Sequence, residues 1–221
     1  MIIYKKDLRS GTFNKEDLHI KSMRPKKDET ILLSNLEGLM MRVEVIEYDY
    51  RTGLGNYKII EEVVNIKPKE RVLIQCQIDK VYLDKLCELL PIVNITELVI
   101  VTSELSQMQT INLERLNNIC IRSCEQSHNP YLPRISVVKI PMIEYLKTLT
   151  IKPLILELPE KNNQRKNLIA SDCILVGPEG GFSLSEIKFL KVNNYEQTSI
   201  SKQVLPAWLA GYSYYSMMEL L

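Results

Sequence analysis

The segment Leu175-Val-Gly-Pro-Glu-Gly-Gly-Phe-Ser-Leu-Ser-Glu-Ile187 has the residue types and spacing most able to do chemistry. The apolar run Cys173–Val176 predicts a strand, which runs into a tight glycine turn with a helix starting at once after it. Ser183 and Glu186 have capping-box spacing, in which each side chain satisfies the other residue's free backbone N–H. Gly177, Gly180 and Gly181 let the backbone take positive φ and approach a ligand closely. The same Gly-Gly pair also reads as a plain strand-to-helix turn. No Gly-Lys-Ser/Thr follows, so this is not a Walker phosphate loop, and it is not the dinucleotide G-x-G-x-x-G either.

Other chemistries find little support. The five cysteines, Cys76, Cys87, Cys120, Cys124 and Cys173, form no C-x-x-C, and His19 and His128 make no metal-ligand spacing with them. No metal site is therefore expected. Cys120 and Cys124 are four apart, the spacing of one buried helical stripe. Thiols without a disulfide framework suit a reducing cytoplasm, so a cytoplasmic location is expected. No Gly-x-Ser-x-Gly elbow exists, which argues against an α/β hydrolase. The net charge of +1 neither demands nor excludes nucleic acid. Local basic clusters are Lys5-Lys6-x-x-Arg9 and Lys21-x-x-Arg24-x-Lys26-Lys27, each of which also reads as a solvated face. The opening Met-Ile-Ile-Tyr-Lys-Lys-Asp has no long apolar run, so no signal peptide is expected. No apolar run reaches the roughly 18 residues of a membrane span, so no membrane partner is expected.

The elements that must position the glycine turn are legible in the pattern. With 221 residues, 45% hydrophobic and 25% charged, the chain can hold one large or two small domains. Residues 1–66 read mostly as strand and turn: Met41, Val43 and Val45 alternate with Arg42, Glu44 and Ile46 in a mostly period-two pattern, Gly38 and Gly53-Leu-Gly55 flank them as turns, and Ile59-Ile60 and Val63-Val64 follow. Short strands at this density predict a small β-barrel. The charged, proline-containing Ile66-Lys-Pro-Lys-Glu70 is the expected linker. From 67 to 221 strands and helices alternate. Strands are expected at Val72–Gln75, Glu97–Val101, Pro153–Glu157 and Cys173–Val176; helical stripes run through Leu83, Leu86, Cys87 and Leu90, and through Leu113, Leu116, Cys120 and Cys124. A last helix begins near Pro206 and carries Trp208, Tyr212 and Tyr215 along one side. This alternation predicts an α/β domain with a parallel sheet covered on both faces. Ligands in such sheets bind beyond the carboxyl ends of the strands, where the loops after Leu156 and Val176 would lie. Glu160–Lys166 is expected to be an exposed loop.

The string Gly177-Pro-Glu-Gly-Gly-Phe-Ser-x-x-Glu-Ile187 resembles the signature of the RsmE family, SPOUT-class methyltransferases that methylate N3 of a uridine in small-subunit (16S) ribosomal RNA. Glu125-Gln-Ser127 with Pro133-x-Ile135, Glu88-Leu89, and His19…Met23-Arg24…Asp28-Glu29 resemble further segments of that family. The resemblance implies a PUA-like, RNA-binding β-barrel over 1–66 and a trefoil-knotted methyltransferase domain over 67–221. It implies S-adenosylmethionine as cofactor, ribosomal RNA or the small ribosomal subunit as partner, and a homodimer, for which Trp208, Tyr212 and Tyr215 offer a patch. Glycine-lined loops suit a bent nucleoside, because amides and carbonyls can read the adenine edge. By resemblance the cofactor would lie against Leu156, Glu157, Gly177, Pro178, Glu179, Gly180, Gly181, Phe182, Ile200, Ser201, Val204 and Leu205. Candidates for catalysis are Glu179, Lys202 and Gln203; candidates for RNA contact are Arg9, Arg24, Lys26 and Lys27. The sequence departs from the family at its arginines. Leu105, Asn129, Gln203 and Pro206 stand where arginines are expected, and Trp208-Leu209 replaces Glu-Thr. Arg122, Arg134 and Lys202 are possible displaced substitutes. These departures motivate an alternative, a catalytically impaired knotted RNA-binding or ribosome-associated protein.

Overall fold

The computed structural model describes residues 2–15, 17, 20, 23–156 and 169–220. Glu157, His19, Lys21 and the loop expected at 160–166 lie outside the described residues. The chain divides into two compact units, Met1–Pro68 with Cys120–Leu132, and Lys69–Ile119 with Pro133–Leu221.

The first unit is a five-stranded sheet built from β1 (Ile2–Tyr4), β2 (Thr12–Phe13), β3 (Thr30–Ser34), β4 (Leu39–Asp49) and β5 (Leu54–Val64), in the order β1-β3-β4-β5-β2. The sheet curls into a half-barrel, with β1 and β2 as its two edges. Two register shifts between β4 and β5, at Arg42/Val43 and Val45/Glu47, account for the curl, since bulges bend a strand and increase its twist. The alternation in β4 does what its pattern requires: Met41, Val43 and Val45 are fully buried beside Ile3, Phe13, Leu33 and Tyr57. Lys5 is also buried, 2% exposed, and pairs with Asp17 at 2.8 Å. It is therefore no part of the basic surface expected from Lys5-Lys6-x-x-Arg9.

The segment 120–132 completes this unit. Cys124, Ile121 and Leu132 pack on Ile2 and Leu36. The Glu125 carboxylate accepts the Tyr4 N–H at 2.8 Å, so the glutamate of Glu-Gln-Ser fastens β1. Gly38 has φ +100°, and the Tyr131 ring occupies the space that a Cβ would take there. The Tyr131 hydroxyl donates to the Asn65 carbonyl at 2.7 Å.

The second unit holds a six-stranded parallel sheet. Its strands are β6 (Val72–Cys76), β7 (Glu97–Thr102), β8 (Arg134–Pro141), β9 (Leu154–Leu156), β10 (Cys173–Val176) and β11 (Gln197–Thr198), in the order β11-β9-β10-β6-β7-β8. The helices are α1 (Lys80–Leu89), α2 (Leu113–Ser127, whose last turns belong to the first unit), α3 (Met142–Thr148), α4 (Leu184–Val192) and α5 (Ala207–Met218). Side chains alternate across the strands. Ile74, Cys76, Val99 and Val101 face one core with Met142 and Leu146 of α3 and Leu190 of α4. On the other side a Cβ at Gly211 of α5 would lie 2.8 Å from the Leu73 methyls, so the helix seats closely on β6.

Two tyrosines anchor α5. The Tyr214 hydroxyl donates to the Ile169 carbonyl at 2.7 Å and accepts the Ser171 N–H at 2.7 Å. Tyr215 is 1% exposed, and its hydroxyl lies 2.9 Å from the Val72 carbonyl and 3.0 Å from that of Asp172. This corrects the expected aromatic patch: Tyr215 is core. Trp208 stacks on Tyr82 of α1 with an interplanar angle of 4°, and Lys85 caps both rings. No described helix is long and apolar enough to cross a membrane.

Candidate functional site

The carboxyl ends of β9, β10 and β11 open into a cavity of about 370 Å³, a volume in the range of small-molecule sites. Three backbone segments wall it. Leu156 ends β9, Val176 to Phe182 leave β10, and Ser199 to Pro206 connect β11 to α5. Of the residues the resemblance implies for the cofactor, Leu156, Gly177, Pro178, Glu179, Gly180, Gly181, Phe182, Ile200, Ser201, Val204 and Leu205 all line this one cavity. Glu157 lies outside the described residues.

Two of the three glycines in the turn, Gly177 and Gly181, have a local cause. A Cβ at Gly177 would lie 3.2–3.4 Å from the Phe182 ring, so the glycine lets that ring fold back over the turn. Gly181 has φ +72°, the left-handed region that side chains avoid, with nothing within 4 Å of its Cβ position. At Gly180 a Cβ would touch only Leu105, at 3.4 Å. Gln75, fully buried in β6, donates to the Gly177 carbonyl at 3.2 Å and fixes the start of the turn. The turn ends on Ser183, where the expected capping box is present in full.

The lining is apolar with a few polar groups. Among the described lining residues Glu179 carries the only charge, and Ser199, Ser201 and Gln203 add neutral polar groups. Of the catalytic candidates, Glu179 and Gln203 line the cavity, whereas Lys202 is exposed and is not among its lining residues. Arg134 is engaged elsewhere. It begins β8 and pairs with Glu97, the first residue of β7, at 2.7 Å and with Glu70 at 3.4 Å. That is the amino end of the strands, opposite the cavity, so Arg134 is no displaced substitute for a cavity arginine. Arg122 belongs to the first unit.

Of the RNA candidates, Arg9 donates to both carboxylate oxygens of Glu62, at 2.8 and 3.0 Å, and both residues are exposed. Arg24, Lys26 and Lys27 are exposed, and Arg24 has a left-handed backbone, φ 50°.

The sequence-based set omits several lining residues: Val176, Ile187, Ser199, Pro206, Ala207 and Ala210. Ala207 and Ala210, three apart at the start of α5, carried a signal. Small residues at that spacing leave one helix face open to a ligand.

The matches to known proteins agree with this geometry. Residues 65–219 match the family model described as RNA methyltransferase domain. Ribosomal RNA small subunit methyltransferase E of Mesomycoplasma hyopneumoniae (strain 232) is 24% identical over 196 residues, 85% of this chain and 83% of that protein. The protein of the same name from Rickettsia conorii (strain ATCC VR-613 / Malish 7) is 29% identical over 134 residues, 58% of this chain and 54% of its own. The crystal structure of a Ribosomal RNA small subunit methyltransferase E from Neisseria gonorrhoeae, bound to S-adenosyl methionine, superposes with a TM-score of 0.82 at 21% identity. That superposition spans 99% of this chain and 96% of the other, and both units share its fold. With the family model covering most of its length, the chain belongs to the RNA methyltransferase domain family, as an RsmE-type member.

Proposed function

We propose that this chain methylates N3 of a uridine in small-subunit ribosomal RNA, with S-adenosylmethionine as methyl donor. The observation that carries it is the glycine-walled cavity at the carboxyl ends of β9, β10 and β11. The group fits the residues present. The volume suits a nucleoside-sized ligand, the side-chain-free edge at Gly180 and Gly181 admits it to backbone distance, and Leu156, Val176, Ile187 and Leu205 supply an apolar enclosure for a base. When bound, S-adenosylmethionine supplies an electrophilic methyl group on a sulfonium centre.

The protein's part is chiefly placement, since holding donor and acceptor aligned accounts for much of the acceleration in such transfers. Glu179 lies where a carboxylate can face a positive centre or accept the uracil N3 proton. The Gln203 amide can hold a uracil carbonyl as charge builds on the ring. Arg9, Arg24, Lys26 and Lys27 would contact the phosphate backbone from the first unit, which in this reading is the PUA-like RNA-binding domain, followed by the methyltransferase domain over 67–221. A homodimer and a trefoil knot, with the chain before α5 threading a loop, belong to the same reading. A monomeric mass in light scattering or an unthreaded C-terminus in an experimental structure would remove them.

One observation favours the alternative of an RNA-binding protein with little transfer activity: no lysine or arginine is among the described cavity residues. Losing one preorganised electrostatic group typically costs about 10²–10³ in rate. The deciding experiment supplies methyl-labelled S-adenosylmethionine with small ribosomal subunits or their RNA, then digests the product to nucleosides. Labelled N3-methyluridine is expected. Cofactor binding without label in RNA would select the alternative, and label in another nucleoside would overturn the uridine assignment.

A further inference from the structure

Glu186 is 2% exposed and has no ion pair among the described residues. Its Oε2 accepts the Ser183 N–H at 2.8 Å, which is the capping-box contact. Its Oε1 accepts the Glu104 N–H at 3.0 Å, in the loop after β7. A second bond joins the same two segments, because the Ser185 hydroxyl donates to the Glu104 carboxylate at 2.6 Å. The loop is a closed turn, with the Ser103 N–H on the Ser106 hydroxyl and the Ser106 N–H on the Ser103 carbonyl, both at 3.1 Å. Between them stands Leu105, whose Cβ lies 3.4 Å from the Cβ position of Gly180 in the cavity wall.

The capping box alone does not call for a glutamate. Glutamine serves the same position and avoids burying a charge, which is costly without partners. Here, however, each N–H meets a different oxygen, and glutamine would turn an NH2 donor towards one of the two. The buried carboxylate is explained by its double use.

We propose that Glu186 is a positioning residue that ties the 103–106 loop to the end of the glycine turn and so sets the cavity wall at Gly180. In function this rests on the cofactor reading above. In geometry it does not. The test compares Glu186→Gln with Ser183→Ala, which removes the helix cap but leaves both carboxylate contacts. Both variants should lower the melting temperature by similar amounts. Only Glu186→Gln should weaken S-adenosylmethionine binding, by tenfold or more in calorimetric titration, and raise KM for it more than it lowers kcat. In the unliganded protein, hydrogen exchange at the amides of 104–106 and 180–183 should quicken together in Glu186→Gln. Equal affinity losses in the two variants, or unchanged exchange at 104–106, would overturn the proposal. If the wild type binds no S-adenosylmethionine, the function reading fails, while the exchange experiment still decides the coupling.

Discussion

Replacing Gly180 by valine should weaken S-adenosylmethionine binding without unfolding the chain. A Cβ at this position meets Leu105 Cβ at 3.4 Å and the Leu105 carbonyl at 3.7 Å, which are ordinary van der Waals distances. Its φ is not in the left-handed region, so neither crowding nor backbone strain opposes the side chain itself. The two further methyls of valine have Leu105 on one side and the cavity on the other. Methyls that enter the cavity collide with a ligand lying against the turn. Overpacking of this kind costs about 1–3 kcal/mol, or a loss of roughly 5- to 150-fold in affinity. Gly180→Ala should fall between valine and wild type. Gly181→Ala provides the contrast: nothing lies within 4 Å of its Cβ position, but φ is +72°. It should therefore destabilise the fold by about 1–2 kcal/mol through the backbone, a drop of roughly 2–8 °C in melting temperature. Calorimetric titration and differential scanning calorimetry separate the two effects. Equal affinity in wild type and Gly180→Val would place the ligand away from this turn and refute the reasoning.

Three further outcomes are expected. Lys5→Met leaves the mostly buried Asp17 without its cation and should cost about 3–5 kcal/mol in urea unfolding; adding Asp17→Leu should restore much of it. Gly38→Ala must take φ +100° and displace the Tyr131 ring, for a combined cost of about 2–5 kcal/mol in the same assay, whereas Tyr131→Phe should lose only about 1 kcal/mol with the bond to Asn65. Burial, with Glu97 nearby, pushes the Cys173 thiol up to about 11, above its unfolded value of roughly 8.5. The folded state thus retains a proton that the unfolded chain releases, so this contribution is intact below about pH 8.5 and is lost as pH rises towards 11. Unfolding free energies measured across that window should fall, and Cys173→Ala should flatten the decline.

Several features were legible because local pattern alone decides them. The period-two run at Met41, Val43 and Val45, the stripe at Leu83, Leu86, Cys87 and Leu90, and the Ser183–Glu186 box each need only a few neighbours in sequence. The glycine turn, the end of β9 at Leu156 and the loop after Thr198 could be brought together only through strand order, and there the family resemblance supplies what periodicity does not. β8 and α3 escaped the pattern for a physical reason. β8 is a sheet edge with mixed exposure, bracketed by Pro133 and Pro141, and α3 starts directly behind it with seven residues. Lys5 reads as a surface cation because its partner is twelve residues away in sequence. Tyr215 falls on the same helical side as Trp208 and Tyr212, and nothing local marks it for burial against Val72 and Asp172.

The first unit draws on two separated stretches of chain, and this bears on how it is made and where it can be cut. Ile2 and Leu36 share their cluster with Tyr4, Leu32 and Met40, and their cover is completed by Ile121, Cys124 and Leu132. During synthesis the N-terminal sheet must therefore wait, with that face partly uncovered, while the first strands of the parallel sheet are being made. A fragment ending at the Pro68 linker would expose the same face and lack the Glu125 contact to β1. The apparent boundary near residue 66 is thus a poor place to divide the gene. An N-terminal fragment that folds on its own should need residues 120–132 fused behind the linker.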